Sequence, residues 1–343
     1  MAGGVGEDSR PYAAPYAMRF LVTGIGGFVG PHLARLLLEA GHEVFGLDKR
    51  DGSSPALDEL HRRFPERFPR GAVLRADISD PHAVRNAVGA VCPDGLFHLA
   101  AISFVPASEA DPRAAYRTNF VGALNVFTAV RETCPGCRVV HVGSGDAYGA
   151  SGNEMSAITE SAPFRPVSPY AVSKAAADLA AFEWYWSGGE VVRARPFNHT
   201  GPGQQPGFVC SNFARQIAEI ELGRRPGVLE VGNLDATRDF TDVRDIVAGY
   251  LALWERGSAG EAYNLCSGRG VRIREIVEEL CSHARRAPEV RVAEERCRPK
   301  EIRCLVGSFA RAEAETGWRP KLLLKETLKD LLEYWREQVG RGE

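Results

Sequence analysis

Met18-Arg19-Phe20-Leu21-Val22-Thr23 runs directly into Gly24-Ile25-Gly26-Gly27-Phe28-Val29-Gly30, and then into the amphipathic stretch Pro31–Ala40. An apolar β-branched run, glycines at 24, 27 and 30, and a helical pattern follow one another without a break. That succession reads as strand, turn and helix. Gly24 permits the tight turn, Gly27 lets backbone approach a pyrophosphate, and Gly30 lets the helix pack closely on the sheet. The N–H groups at the helix start, here beside Phe28 and Val29, attract an anion.

About 20 residues further on, Glu43-Val44-Phe45-Gly46-Leu47-Asp48-Lys49-Arg50 ends a second apolar run. A carboxylate at Asp48 would hydrogen-bond adenosine ribose hydroxyls and favour NAD, whereas Lys49 and Arg50 could hold the 2′-phosphate of NADP. Either NADH or NADPH therefore fits. Asp77 and Ile78, after another strand, are placed to meet the adenine. Leu99, Ala100 and Ala101 end a strand with small residues where backbone must pass close to the dinucleotide.

Outward from this turn, strand-like runs occur at Arg19–Thr23, Glu43–Leu47, Ala72–Arg75, Leu96–Leu99, Arg138–Val142 and Glu190–Arg195. They alternate with helical patterns near Val29–Ala40, Pro81–Val88, Pro112–Arg131 and Pro169–Trp186. The alternation predicts an α/β fold, a doubly wound parallel sheet of the Rossmann type. After Pro196 a loop rich in Gly and Pro gives way to helices near Asn212–Leu222, Asp242–Trp254, Ile273–Arg285 and Leu324–Gln338. The expected division is a dinucleotide-binding domain over 18–195, with return segments near 235–265. Residues 196–343 form mainly a smaller C-terminal α/β substrate-binding lobe. Residues 1–17 read as a disordered tail without the features of a signal peptide.

Forty-two basic against 44 acidic residues leave a net charge of −2. This balance gives no reason to expect nucleic acid or an anionic membrane as partner. No apolar run approaches the roughly 18–20 residues of a membrane span, and a cytoplasmic enzyme is expected. Of eight cysteines, only Cys134-Pro135-Gly136-Cys137 has a suggestive spacing. A zinc site would need a second such pair, so no metal is expected and the two read as reduced thiols in a turn.

Tyr170-Ala171-Val172-Ser173-Lys174 puts Tyr170 and Lys174 one helical turn apart on the same face. A neighbouring ammonium is expected to lower the tyrosine pKa toward a useful range, allowing proton exchange with a sugar oxygen. Upstream, Ser144 in Val142-Gly143-Ser144-Gly145-Asp146-Ala147-Tyr148-Gly149 is placed at a strand end to polarise the same oxygen.

With these stations the chain resembles the extended short-chain dehydrogenase/reductase family, in its nucleotide-sugar branch. The likeness runs over residues 18–335 through Thr23–Gly30, His98–Ala101, Tyr170–Lys174 and Arg195–Gln204. Within the branch, Ser144–Gly149, Val231–Asp245 and Gly307–Arg311 look most like GDP-4-keto-6-deoxy-D-mannose reductases, which form GDP-D-rhamnose.

The resemblance implies hydride delivery to C4, protonation of the alkoxide by Tyr170 and a hydrogen bond from Ser144. Lys174 would hold the nicotinamide ribose. Toward a GDP-sugar it implies contacts from Ser103 and Asn198, a diphosphate site at Arg238 and Arg298, and a ribose acceptor at Glu301. Related dehydratases carry Glu where Asp146 stands; Asp146 is one methylene shorter, which favours the reductase over a GDP-mannose 4,6-dehydratase. A 4-epimerase fits the Arg195–Gln204 stretch less well. A non-catalytic nucleotide sensor would typically have lost Tyr170 or Lys174. In this family the helices Pro112–Arg131 and Pro169–Trp186 often form a four-helix interface, and with apolar Phe120, Leu124, Phe127, Leu179, Phe182 and Trp186 they imply a homodimer.

Overall fold

The computed structural model describes residues 17–50, 54–294 and 302–342. Seven strands build the large sheet: β1 (Arg19–Thr23), β2 (Glu43–Asp48), β3 (Val73–Arg75), β4 (Gly95–His98), β5 (Arg138–Val142), β6 (Val191–Pro196) and, much later, β10 (Ala262–Leu265). Their order is β10-β6-β5-β4-β1-β2-β3, and every neighbouring pair is parallel. The order reverses between β1 and β4, where a doubly wound sheet opens its binding crevice.

The strands are apolar on both faces because helices cover both. Phe20, Val22, Val140 and Val192 point to one side, among the residues of helices Val29–Glu39 and Val243–Arg256. Leu21, Leu96, Val139 and Val191 point to the other, against helices Pro81–Val91, Gly122–Thr133 and Pro169–Trp186.

The remaining strands are β7 (Asn198–Thr200), β8 (Val228–Val231), β9 (Thr237–Asp242), β11 (Gly270–Arg272), β12 (Glu289–Val292) and β13 (Cys304–Leu305). β9 is flanked by β11 and β13 and also pairs with β7, while β8 pairs with β12. Helices Val209–Glu221, Ile273–Ser282 and Leu324–Arg341 enclose a separate core containing Phe213, Ile217, Leu280, Leu331 and Trp335. Between these elements the chain returns to the large sheet through helix Val243–Arg256 and β10.

Two expectations need correction. The stretch Pro112–Arg131 is not one helix: helix Pro112–Tyr116 passes through a π turn at Arg117–Val121 into helix Gly122–Thr133. The inserted residue turns Asn119 inward, where it finds buried partners. Helices Pro55–Arg63 and Val105–Ala110 were not expected, being too short for a periodic pattern, although Ser54 caps the first through the Leu57 N–H. The expected tail falls outside the described residues except for Ala17. Among the described residues no helix is long and apolar enough to cross a membrane.

Candidate active site

A cleft of about 990 Å³ opens at the C-terminal ends of the large sheet. The expected site residues that are described all line it. Gly24, Gly27, Phe28, Val29 and Gly30 form one wall, with Asp48, Lys49 and Arg50 beyond them. Asp77 and Ile78, then Leu99, Ala100, Ala101 and Ser103, continue the same wall. Ser144, Asp146, Tyr170 and Lys174 meet at the floor, and Asn198 and Arg238 stand on the far side. Arg298 and Glu301 lie outside the described residues.

The first turn is built for close approach. Gly24 has φ +70°, and a Cβ there would come within 2.8 Å of the Ala100 Cα. A Cβ on Gly30 would lie 2.2 Å from the Ile25 carbonyl oxygen. Side chains are excluded from both positions, so the loop presents bare backbone and a helix N-terminus to the cleft, a cradle that fits a dinucleotide pyrophosphate. Thr23 fixes the junction beneath: its Oγ1 accepts from Ala100 N at 3.2 Å and pairs with His98 Nδ1 at 2.8 Å. Burial holds His98 well below the usual imidazole range, so it is a neutral strut. Further along the same wall, Asp77 accepts from Ser79 N at 2.8 Å, which lowers its carboxyl pKa.

Helix Pro169–Trp186 starts sharply. Ser168 caps it by accepting from Ala171 N at 3.2 Å, and Pro169 follows at the first helical position. This places Tyr170 in the first turn, facing Ser144. Ser144 in turn caps the short 3₁₀ segment Gly145–Asn153, its hydroxyl accepting from Asp146 N at 3.1 Å. One cap therefore holds Ser144 and Asp146 together. Both line the cleft floor with Tyr170, near enough to bear on the ionisation of its phenol.

The expected lowering of the Tyr170 pKa by Lys174 does not emerge. Burial pushes the phenol up, Asp146 adds to that, and only Ser144 opposes it. Lys174 is itself buried, its Nζ donates to the Val142 carbonyl at 2.7 Å, and its pKa falls to about 8. Burial, which disfavours both charged forms, outweighs their attraction. Tyr170 is thus held protonated, as a proton donor must be.

Two groups escaped the sequence reading. Asn119 accepts from Ile102 N at 2.7 Å, donates back to the Ile102 carbonyl at 3.0 Å, and donates to Ser173 Oγ at 2.9 Å. It ties the cleft wall at Ile102 to helix Pro169–Trp186 through Ser173. Asp178, two turns beyond Tyr170, takes a two-pronged ion pair from Arg195 at 2.9 and 2.8 Å and a third contact from Arg193 at 2.7 Å. Arg195 Nη1 also donates to the Tyr148 hydroxyl at 2.8 Å. An asparagine within an apolar helical pattern was the available signal for the first. The second joins a helix to the strand that follows it, across 15 and 17 positions with no local periodicity, and left none.

The family model described as GDP-mannose 4,6 dehydratase matches residues 21–331. The chain belongs to this family. It is 36% identical to the GDP-6-deoxy-D-mannose reductase of Pseudomonas aeruginosa, over 94% of this chain and 98% of that protein. The structure of RMD from P. aeruginosa complexed with NADPH superposes with a TM-score of 0.79 at 35% identity, covering 94% of this chain and all of that one. The Thermus thermophilus UDP-glucose 4-epimerase in complex with NAD gives 0.80 at 30% identity, over 93% and 99% of the two chains. The family fold is an extended short-chain dehydrogenase/reductase built on NAD(P), and the chain is an oxidoreductase of that kind.

Proposed function

We propose that this chain reduces the 4-keto group of GDP-4-keto-6-deoxy-D-mannose to give GDP-D-rhamnose, with NADPH or NADH as reductant. The observation that carries the reading is the meeting of Ser144, Tyr170 and Lys174 on one cleft floor, with Asp146 held beside Ser144 by its cap. The likeness to the P. aeruginosa reductase supports it.

When bound, the reduced nicotinamide supplies a hydride. Ser144 donates a hydrogen bond to the keto oxygen and favours the charge that gathers on it. Tyr170, kept protonated by its surroundings, passes its proton to that same oxygen. Lys174 holds the ribose of the cofactor and places positive charge near the phenolate left behind. The Gly24–Gly30 turn takes the pyrophosphate. Ser103, Asn198 and Arg238 serve the nucleotide sugar, the guanidinium suiting a diphosphate oxygen; Arg298 and Glu301 belong to the same proposed set.

The test offers GDP-mannose and its 4-keto-6-deoxy derivative, each with and without NADPH. Cofactor oxidation with the keto sugar alone supports reduction. Conversion of GDP-mannose without added reductant points to dehydration. Cofactor binding with no turnover of either overturns both.

The reading includes a homodimer. Leu179, Phe182 and Trp186 on one helix and Leu124 on its neighbour are exposed, Trp186 at 81%. Of the other apolar residues expected there, Phe127 is buried and stacked on Trp184, and Phe120 packs against the core.

A further inference from the structure

The turn Cys134–Cys137 has a third thiol beside it. Cys92 caps helix Pro81–Val91, Cys134 caps helix Gly122–Thr133, and the two helices pack together. Both caps lie just before β4 and β5, at the N-terminal end of the sheet, opposite the cleft. The Val88 carbonyl joins them, accepting from Cys92 N at 2.8 Å and meeting the Cys134 thiol at 3.7 Å. Cys92 and Cys134 therefore converge on one carbonyl oxygen from two packed helices. Cys137 completes the cluster through the bond from its N–H to the Cys134 carbonyl at 2.9 Å.

The environments of the three differ. Cys92 is exposed, whereas Cys134 and Cys137 are buried. Cys92 also has φ +47°, and no other non-glycine among the described residues has positive φ. A helix ends in that conformation with glycine or asparagine as a rule, because a Cβ is disfavoured there. An exposed cysteine in a disfavoured conformation therefore shares the Val88 carbonyl with a buried one. Among the described residues no group of three or more His, Cys, Asp or Glu is arranged to hold a metal ion.

We propose that Cys92 and Cys134 form an oxidisable dithiol, closed to a disulfide by a hydroperoxide and reopened by a small dithiol. The Cys92 thiolate attacks a peroxide oxygen, the O–O bond breaks, and Cys92 becomes a sulfenic acid. The Cys134 sulfur then attacks the Cys92 sulfur; the S–S bond forms, the S–O bond breaks, and the departing hydroxide leaves as water with the Cys134 proton. The two thiols lose two electrons and two protons in total, and the peroxide is reduced to water. Cys92 is exposed while Cys134 and Cys137 are buried, so Cys92 is the sulfur that meets the oxidant. The lengths of β4 and β5 put the cluster roughly 13–17 Å from the cleft. Disulfide formation is therefore read independently of the reaction proposed above.

The full chain is treated with hydrogen peroxide, and its intact mass and tryptic map are recorded before and after dithiothreitol. The expected result is loss of two hydrogens, with the Cys92 and Cys134 peptides joined until reduction. The oxidised form should melt about 5 °C higher, since the bond closes a long loop. Cys92→Ser and Cys134→Ala each abolish the cross-link, and Cys137→Ser keeps it. Oxygen addition at Cys92 with Cys134 still free overturns the proposal, as does a Cys134–Cys137 pair; the map of the unsubstituted chain decides should Cys134→Ala fail to fold.

Discussion

Arg50 curls back onto Asp48: its backbone N–H and its Nε reach one carboxylate oxygen at 3.0 and 3.2 Å, while Nη2 donates to the Gly26 carbonyl at 2.6 Å. The other carboxylate oxygen accepts from Gly26 N at 3.0 Å. The acidic residue that would select NAD is thus neutralised by the arginine two places on, and spends itself bracing the glycine turn. Lys49 lines the cleft beside them.

NADPH should accordingly be used in preference to NADH. Losing a charge-assisted contact of about 1.5–3 kcal/mol, Arg50→Ala should raise KM for NADPH by roughly tenfold or more and leave KM for NADH within a few-fold. Paired initial-rate measurements with the two cofactors decide. Equal losses with both would show that Arg50 acts only as a brace for the turn.

Tyr170→Phe should lower turnover by about 10²–10⁴ while the cofactor Kd, followed by nicotinamide fluorescence, stays within a few-fold. Near-normal turnover would remove Tyr170 from its role.

A pH profile should report Lys174. Its folded pKa of about 8 lies below the usual lysine value, so the cation is present below that pH and is lost as pH rises through it. The rate, kcat/KM, should therefore be level below about pH 8 and fall above it. Lys174→Met should be slow at every pH and lack the falling limb. An unchanged limb in that variant would assign it to another group.

Asp178→Ala should be costly away from the reacting atoms. Arg195 and Asp178 have side chains only 6% and 2% exposed, so the variant leaves a buried guanidinium short of its partner. Breaking such a pair costs about 3–5 kcal/mol, a fall in Tm of roughly 5–10 °C for a chain of this size. Arg195 also contacts Tyr148 in the segment that begins with Ser144 and Asp146, so turnover should fall with KM for cofactor little changed. An unaltered melting curve would count against the network.

What the sequence disclosed follows from how local each signal is. The first six strands of the large sheet were legible because they are mainly apolar runs separated by helical patterns, and β1 and β5 have the expected ends. The Gly24–Gly30 turn and the Tyr170–Lys174 pair were legible because their geometry is fixed within seven residues. β10 was hidden: four residues at 262–265 become a strand only because the exposed edge of β6 is there to pair with. The direction of the Tyr170 pKa was hidden for a related reason. Spacing shows that a lysine is near, but how much water the two share depends on elements that fold over them from elsewhere in the chain.

The apolar surface on helix Pro169–Trp186 gives the last prediction. Trp186 and Leu179 are 81% and 61% exposed, on the helix that carries both Tyr170 and Lys174. Covering such a patch with a second copy would remove it from water at about 25 cal/mol per Å². Light scattering should give twice the chain mass, and Leu179→Glu with Trp186→Glu should give one chain mass. Because the same helix holds the catalytic pair, the monomer should lose turnover beyond what its stability explains, and added glycerol should not restore it. A single-chain mass for the unsubstituted protein would overturn the homodimer and leave the cleft chemistry standing, since each described residue of the proposed site comes from one chain.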